Sequence, residues 1–403
     1  MSLCRGIGLS LIALSLAFVS CATQRKKEEK PDYSRALAPG QSALELVTDL
    51  ADYPDFREMY QDRKGALAAI EESLKFFSKP SSQQWYPFED FTHARVVASL
   101  TGLKELLTRT QSPQEFSGFA IKDFDVYRSV GWDGSGDVLF TGYCQPIFQG
   151  SRTAQGPYQH PIYALPDDLV KDADGRPRGQ RVGEQIVSYP SRAEIENGGL
   201  LKGKRLELVY LKSPLEVFIV HVQGSAKIEL PRGGELYLGY AGKTDREYTS
   251  LGKELVKDQK IDEEELSLTA IRRYFDAHPG EIEGYLHRNE SFVFFAEYPP
   301  GGPFGSLGAA VTPFHSIATD KAIFPRGAPC AVSTTAPRMD RAGKMSFEPF
   351  VSLVCDQDTG GAIRSAGRCD IFMGTGPKAE TLAGYTKHEG RLFYLFLKDR
   401  AEP

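Results

Sequence analysis

Apolar residues return every third or fourth position in the early part of the chain. Leu67, Ile70, Leu74 and Phe77 form one such series, and Val96, Leu100, Leu103 and Leu107 form another. A helix turns once per 3.6 residues, so each series falls on one face and predicts an amphipathic helix with that face against a core. Pro80-Ser81-Ser82 ends the first, and Thr92 stands where an N-cap of the second belongs. From about Ile121 to Phe148 the pattern changes to short strand-type runs, and Asp137 to Tyr143 leads as a strand into a turn at Pro146. Between Pro146 and Thr249 the chain reads as strand-rich. Leu206, Leu208 and Tyr210 alternate with Arg205, Glu207 and Val209, Val217 to Val222 is a buried-type run, and Leu236, Leu238 and Tyr240 alternate again. Frequent Gly and Pro supply the turns of a small β domain. Asp262 with Glu265 has the form of a capping box, followed by Leu268, Ile271 and Phe275 on one helical face and a stop at His278-Pro279. Phe292 to Leu397 returns to short strands and predicts a β-barrel.

A length of 403 residues suits two domains, and no repeat of fixed period is present. The net charge of -5 gives no basic footprint, which argues against a nucleic-acid partner. The amino terminus is more telling. Arg5, an apolar run from Ile7 to Val19 and then Ser20-Cys21 have the layout of a secretory signal, and a run of about 13 residues is too short to span a bilayer. Phe18-Val19-Ser20-Cys21 resembles a bacterial lipoprotein cleavage box, which implies lipid on Cys21, and Ala22 after it implies sorting to the outer membrane. The expected layout is a signal over 1–21 and a polar tether over 22–40. No heptads or long apolar edges stand out, so the expected state is a monomer on the membrane surface.

Of six cysteines, Cys144, Cys330, Cys355 and Cys369 lie beyond the anchor, and four allow three pairings. They show no C-x-x-C spacing, and the seven histidines show no ligand spacing, so neither a metal nor a cofactor is expected. The chain also lacks a G-x-S-x-G elbow and a phosphate-binding G-x-x-x-x-G-K-[ST] loop. What remains is a carboxylate site. Asp358 and Asp370 stand at either end of a glycine-rich bend, each next to an apolar run. A carboxyl beside apolar neighbours and a second acid is pushed toward its protonated form, as a general acid near neutral pH requires. The competing reading is a pair of turn residues bonded to their own backbone.

The order of motifs points further. Val222-Gln-Gly-Ser225, Gly239-Tyr-Ala-Gly-Lys243, Tyr248-Thr-Ser-Leu-Gly252 and Asn289-Glu-Ser-Phe-Val-Phe-Phe295 precede three aspartate motifs. These are Thr312-Pro-Phe-His-Ser-Ile-Ala-Thr-Asp320, Asp358-Thr-Gly-Gly-Ala-Ile363 and Asp370-Ile-Phe-Met-Gly-Thr-Gly376. Together they resemble the membrane-bound lytic murein transglycosylase A family, whose carboxy-terminal part is the 3D domain, over roughly Tyr143 to Leu397. The resemblance implies a mainly β protein with flanking helices. Residues 41–146 and 254–403 would form a double-psi β-barrel, 147–253 an inserted β domain, and the groove between them would hold a peptidoglycan glycan strand. Two departures stand out: Gly142-Tyr143-Cys144-Gln145-Pro146 has Cys144 where the family has a second tyrosine, and Ser365 follows Arg364 where glycine is common.

By the same resemblance Asp370 is the single catalytic acid/base, and Asp358 and Asp320 are supporting acids. Gln223, Gly224 and Ser225 are candidate glycan contacts, with Tyr143, Tyr240 and Lys243 adding ring faces and a donor near the muramoyl carboxylates. Gly360 and Gly361 would let the backbone approach the sugar. One acid suffices for a lytic transglycosylase because N-acetylmuramic acid supplies its own 6-hydroxyl as nucleophile. A hydrolysing muramidase and a non-catalytic peptidoglycan-binding lipoprotein are the alternatives.

Overall fold

The computed structural model describes residues 30–172, 175–361 and 363–399. The signal and Cys21 therefore lie outside the described residues. Among the described residues no helix is long and apolar enough to cross a membrane.

The strand-type runs of the carboxy-terminal part form strands at Ser316–Ala318, Pro329–Met339, Met345–Asp358, Arg368–Thr375 and Lys387–Leu397, and Val138–Gln145 joins them. Taken in the order 387–397, 329–339, 345–358, 316–318, 368–375 and 138–145, each pairs with the next and the last pairs back on the first. The result is a closed six-stranded barrel, in which every strand is paired on both sides. Two pairings are parallel: Ser316–Ala318 with Met345–Asp358, and Arg368–Thr375 with Val138–Gln145. The second joins residues as far apart as Thr141 and Asp370, 229 positions along the chain. Closing the barrel thus brings a residue from the first half of the sequence against an aspartate near its end.

Both expected helices are present, at Arg63–Phe77 and His93–Arg109, and Thr92 caps the second by accepting the Arg95 N–H at 3.1 Å. Val96, Leu100, Leu103 and Leu107 are all buried, as their spacing predicts. The first helix is rotated from expectation. Its buried face is Ala66, Ala69, Ile70, Ser73, Phe76 and Phe77, while Leu67 and Leu74 lie at the margin. The reason is a polar tie. The Gln357 side-chain amide donates to the Ala69 carbonyl at 2.7 Å and the Ser73 hydroxyl at 3.0 Å, which requires small residues on that face.

Gly142 explains the glycine of its motif. A β-carbon there would lie 2.7 Å from the Ala383 backbone, because the helix Pro377–Tyr385 packs directly on this strand. Gly142→Ala is expected to lower stability by about 1–3 kcal/mol through overpacking. An unchanged urea midpoint would show that the helix yields freely.

Ile147–Gln149, Ser225–Glu229, Glu235–Lys243 and Val293–Tyr298 form a separate four-stranded sheet with its own core, which includes Phe148, Val209, Ile228 and Phe295. The buried-type run Val217 to Val222 is not a strand but part of the helix Pro214–Gln223. A continuous apolar run has no period to distinguish the two, and the ends decide. The Ser213 hydroxyl accepts the Glu216 N–H at 3.1 Å, Pro214 fits the first turn, and Gly224 closes the helix at φ +72°. The Asp262 capping box is also corrected. Asp262 precedes a short 3-10 turn without a side-chain cap, and the helix Leu268–Ala277 is capped by Ser267. Leu251, Leu255, Phe275, Tyr285 and Leu286 bury into the same core as the four-stranded sheet.

Candidate active site

Strand register assembles a row of side chains across the barrel. Ala318 pairs on one side with Asp358 and on the other with Asp370, and Asp370 pairs in turn with Thr141. Directly paired residues share a face. Asp358, Ala318, Asp370 and Thr141 therefore stand side by side, and the two acid backbones are about 10 Å apart at two strand spacings. A methyl between two carboxylates leaves room for a ligand.

Asp370 is mostly enclosed, its side chain 13% exposed. The Thr141 hydroxyl donates to its Oδ1, as does Arg368 Nε at 3.2 Å, and Arg368 Nη2 also reaches the Thr141 oxygen at 3.2 Å. Both bonds land on one oxygen, which leaves Oδ2 for a ligand. Asp358 Oδ1 accepts the N–H groups of Ser306 and Thr359, each at 2.8 Å. Burial pushes its carboxyl above the usual range, and these two bonds only partly oppose that. The Tyr143 ring packs on Phe372 at 5.2 Å, and its buried hydroxyl lies within reach of the Asp358 carboxyl and in the field of Asp370, with no well-aligned hydrogen bond among the described residues. Burial and those charges hold this phenol well above its ordinary value, so it is a neutral donor.

Asp320 is not in the row. It follows the strand Ser316–Ala318, where Oδ1 accepts the Ala322 N–H and Oδ2 the Ser365 N–H, each at 3.1 Å. It thus pins the loop between the other two aspartates. Ser365, the departure from glycine, stands at φ +69°, a conformation that disfavours a β-carbon, and its hydroxyl donates to the Arg35 carbonyl.

The glycan candidates divide. Lys243 and Gly361 come together: the Lys243 ammonium lies 3.5 Å from where a Gly361 β-carbon would be. Tyr240, 45% exposed, stands near Lys243 on the same strand, and Gly360 is in the facing loop. Gln223 instead ties helix to barrel, its Oε1 accepting the Cys144 N–H at 3.0 Å. Gly224 is the helix cap, and Ser225 is buried opposite Gly239.

Several residues escaped the sequence reading. Thr141 and Arg368 hold Asp370, and their nearness to the motifs was the only signal. Tyr248 is half-buried in the field of Arg368 and Asp370. Beneath the site a fully buried Asp356 pairs with Lys321 and accepts the hydroxyls of Thr319 and Tyr394, each at 2.8 Å. Cys144, Cys330, Cys355 and Cys369 are buried and unpaired. Among the described residues no group of three His, Cys, Asp or Glu is placed to hold a metal ion.

A raised carboxyl has a defined pH signature. Below the unfolded value near 3.8 Asp358 contributes its full stabilisation, which is lost as pH rises through the raised native value. Asparagine keeps the acceptor for Ser306 and Thr359 without that loss. Asp358→Asn should therefore gain stability over the parent in going from about pH 4 to about pH 7. A stability difference independent of pH in urea unfolding would refute this.

The fold and the row of acids define a two-part protein. Residues 139–296 match the model of the MltA specific insert domain, and 315–396 match that of the 3D domain. Membrane-bound lytic murein transglycosylase A of Escherichia coli K12 is 34% identical over 273 residues, 67% of this chain and 69% of that protein. Its namesake from Vibrio cholerae is 31% identical over 299 residues, 74% and 75% of the two chains. Among solved structures, the membrane-bound lytic murein transglycosylase of Agrobacterium tumefaciens superposes with a TM-score of 0.70 at 27% identity, covering 88% of this chain and 98% of that one. E. coli MltA with bound chitohexaose gives 0.66 at 27% identity, over 93% and 100%. The chain belongs to the membrane-bound lytic murein transglycosylase A family.

Proposed function

We propose that this lytic transglycosylase of peptidoglycan cuts the β-1,4 bond between N-acetylmuramic acid and N-acetylglucosamine, with Asp370 as its only acid/base. The observation that carries this reading is the hold on Asp370, fixed through Oδ1 by Thr141 and Arg368 with no hydrogen bond to Oδ2 among the described residues. Protonated Asp370 gives its proton to the bridging oxygen as the C1–O bond breaks. The resulting carboxylate then takes the proton of the muramoyl 6-hydroxyl, whose oxygen bonds to C1 and closes a 1,6-anhydro ring. No water is consumed, and the acid returns to its starting state.

In this reading the strand lies between the barrel and the inserted domain, whose core extends past the expected 147–253 to Leu255, Phe275, Tyr285, Leu286 and Phe295. Asp358 and Asp320 shape the site, and Tyr143, Tyr240, Lys243, Gly360 and Gly361 border it. Lipid on Cys21 holds a monomer at the periplasmic face of the outer membrane. Support for the location comes from relatives named membrane-bound and from the lipoprotein-like amino terminus. Support for a sugar chain in the site comes from the chitohexaose bound by E. coli MltA.

The test is a digest of murein sacculi by the protein lacking residues 1–21, read by mass spectrometry. Anhydromuramic ends are expected. Reducing ends would make it a hydrolase, and no cleavage would leave a binding protein.

A further inference from the structure

We propose that Lys243 and Arg364 form a carboxylate-binding subsite that takes an acidic group carried by the muramoyl residue of the glycan. The proposal rests on the functional reading above and deepens it. Lys243 ends the strand Glu235–Lys243, just past a bulge between Tyr240 and Gly242 that re-aims the strand end. Its ammonium faces Gly361, 3.5 Å from where a β-carbon there would stand, and so faces the loop joining Asp358 to Asp370. Arg364 is exposed on that same loop, next to Ser365, whose N–H is bonded to Asp320 at 3.1 Å. The loop that sets out Arg364 is thus held by one of the three aspartates.

Among the described residues neither cation has a hydrogen-bond or ion-pair partner. For the half-buried Lys243 that departs from the pattern elsewhere, where Arg192 meets Glu196, Arg272 meets Glu380 and Lys321 meets Asp356. Lys243 is half-buried, and the one charge acting on it is Arg364, of like sign, which together with burial lowers its ammonium from the ordinary value. The neighbouring Lys171 donates to the Ala241 carbonyl at 2.7 Å and brings no acid. In a chain where 53 acids outnumber 48 basic residues, an acid-free pair of cations beside the aspartate row is a place for an anion from outside.

The chemistry selects a carboxylate. A planar guanidinium forks onto its two oxygens while an ammonium adds a third donor. The exposed Tyr240 ring, which also lies in the field of Arg364, offers a platform for a sugar face alongside. Muramic acid differs from glucosamine by its 3-O-lactyl acid. That acid is free on a peptide-free strand, and on a substituted strand it is amide-linked to a peptide with carboxylates of its own.

Binding is measured by calorimetry in the Asp370→Asn background, with and without Lys243→Met/Arg364→Gln. The ligands are chitohexaose, which has no carboxylate, a peptide-free murein hexasaccharide and its peptide-bearing counterpart. The double change is expected to weaken an acidic ligand about tenfold or more, and chitohexaose about twofold or less. A loss on the peptide-free strand identifies the lactyl acid, and a loss confined to the peptide-bearing strand identifies the stem. Equal losses on all three ligands, or none on any, overturn the subsite. Failure of the Asp370→Asn protein to bind any of the three would overturn the functional reading itself, and the subsite with it.

Discussion

Asp370→Asn is expected to reduce turnover on murein by about 10²- to 10⁴-fold, the range a positioned general acid contributes. Asparagine is nearly the same shape, and its oxygen can still accept from Thr141 and Arg368, so the row across the barrel should persist. What it lacks is the proton for the leaving oxygen and the base for the 6-hydroxyl. The readout is the initial rate of soluble muropeptide release, compared at matched melting temperature. A variant keeping more than about a tenth of the parent rate would remove Asp370 from the acid/base role, since even the smallest general-acid contribution exceeds that. Binding of glycan should survive the change, which separates lost chemistry from lost structure.

Lys321→Met is expected to destabilise the fold by about 3–5 kcal/mol, because it leaves the Asp356 carboxylate buried and without its counter-ion. The pair is enclosed on every side, with Lys321 and Asp356 side chains 5% and 0% exposed. Removing both charges as Lys321→Met/Asp356→Leu should recover much of the loss, since two apolar groups need no partner. Recovery will be incomplete, because the hydroxyls of Thr319 and Tyr394 then lose their acceptor. Urea unfolding of parent, single and double variants tests this directly. A single variant as stable as the parent would mean that Asp356 is held neutral or reached by water. The residues at stake frame the site, since Thr319 and Lys321 flank Asp320 and Asp356 lies two residues before Asp358.

Much of the fold was legible wherever one face of an element is buried. The helix His93–Arg109 shows all four of its periodic residues in the core, with the cap at Thr92. The strand Val138–Gln145 lies where its pattern places it. Reading failed where a residue's role depends on a distant partner. Val217 to Val222 is apolar on every side, and its helix is declared only by Ser213, Pro214 and Gly224 at its ends. Leu67 and Leu74 give way to small residues because Gln357, almost 290 positions later, needs the Ala69 carbonyl.

The site divides in the same way. Motif order alone marked the three aspartates and the family, because glycine-rich bends and acids at fixed spacing are local features of the chain. The sequence likewise determined the β character of the barrel and the polar stretch ahead of it. Only the tertiary structure decided that Asp358 and Asp370 flank Ala318 in one row while Asp320 ties down a loop. It alone brought Thr141 across 229 positions to Asp370, set Lys321 against Asp356, and left Lys243 and Arg364 without an acid beside them among the described residues. Strand register and barrel closure set these contacts, and both depend on how separated segments pair, which no local pattern of residues encodes.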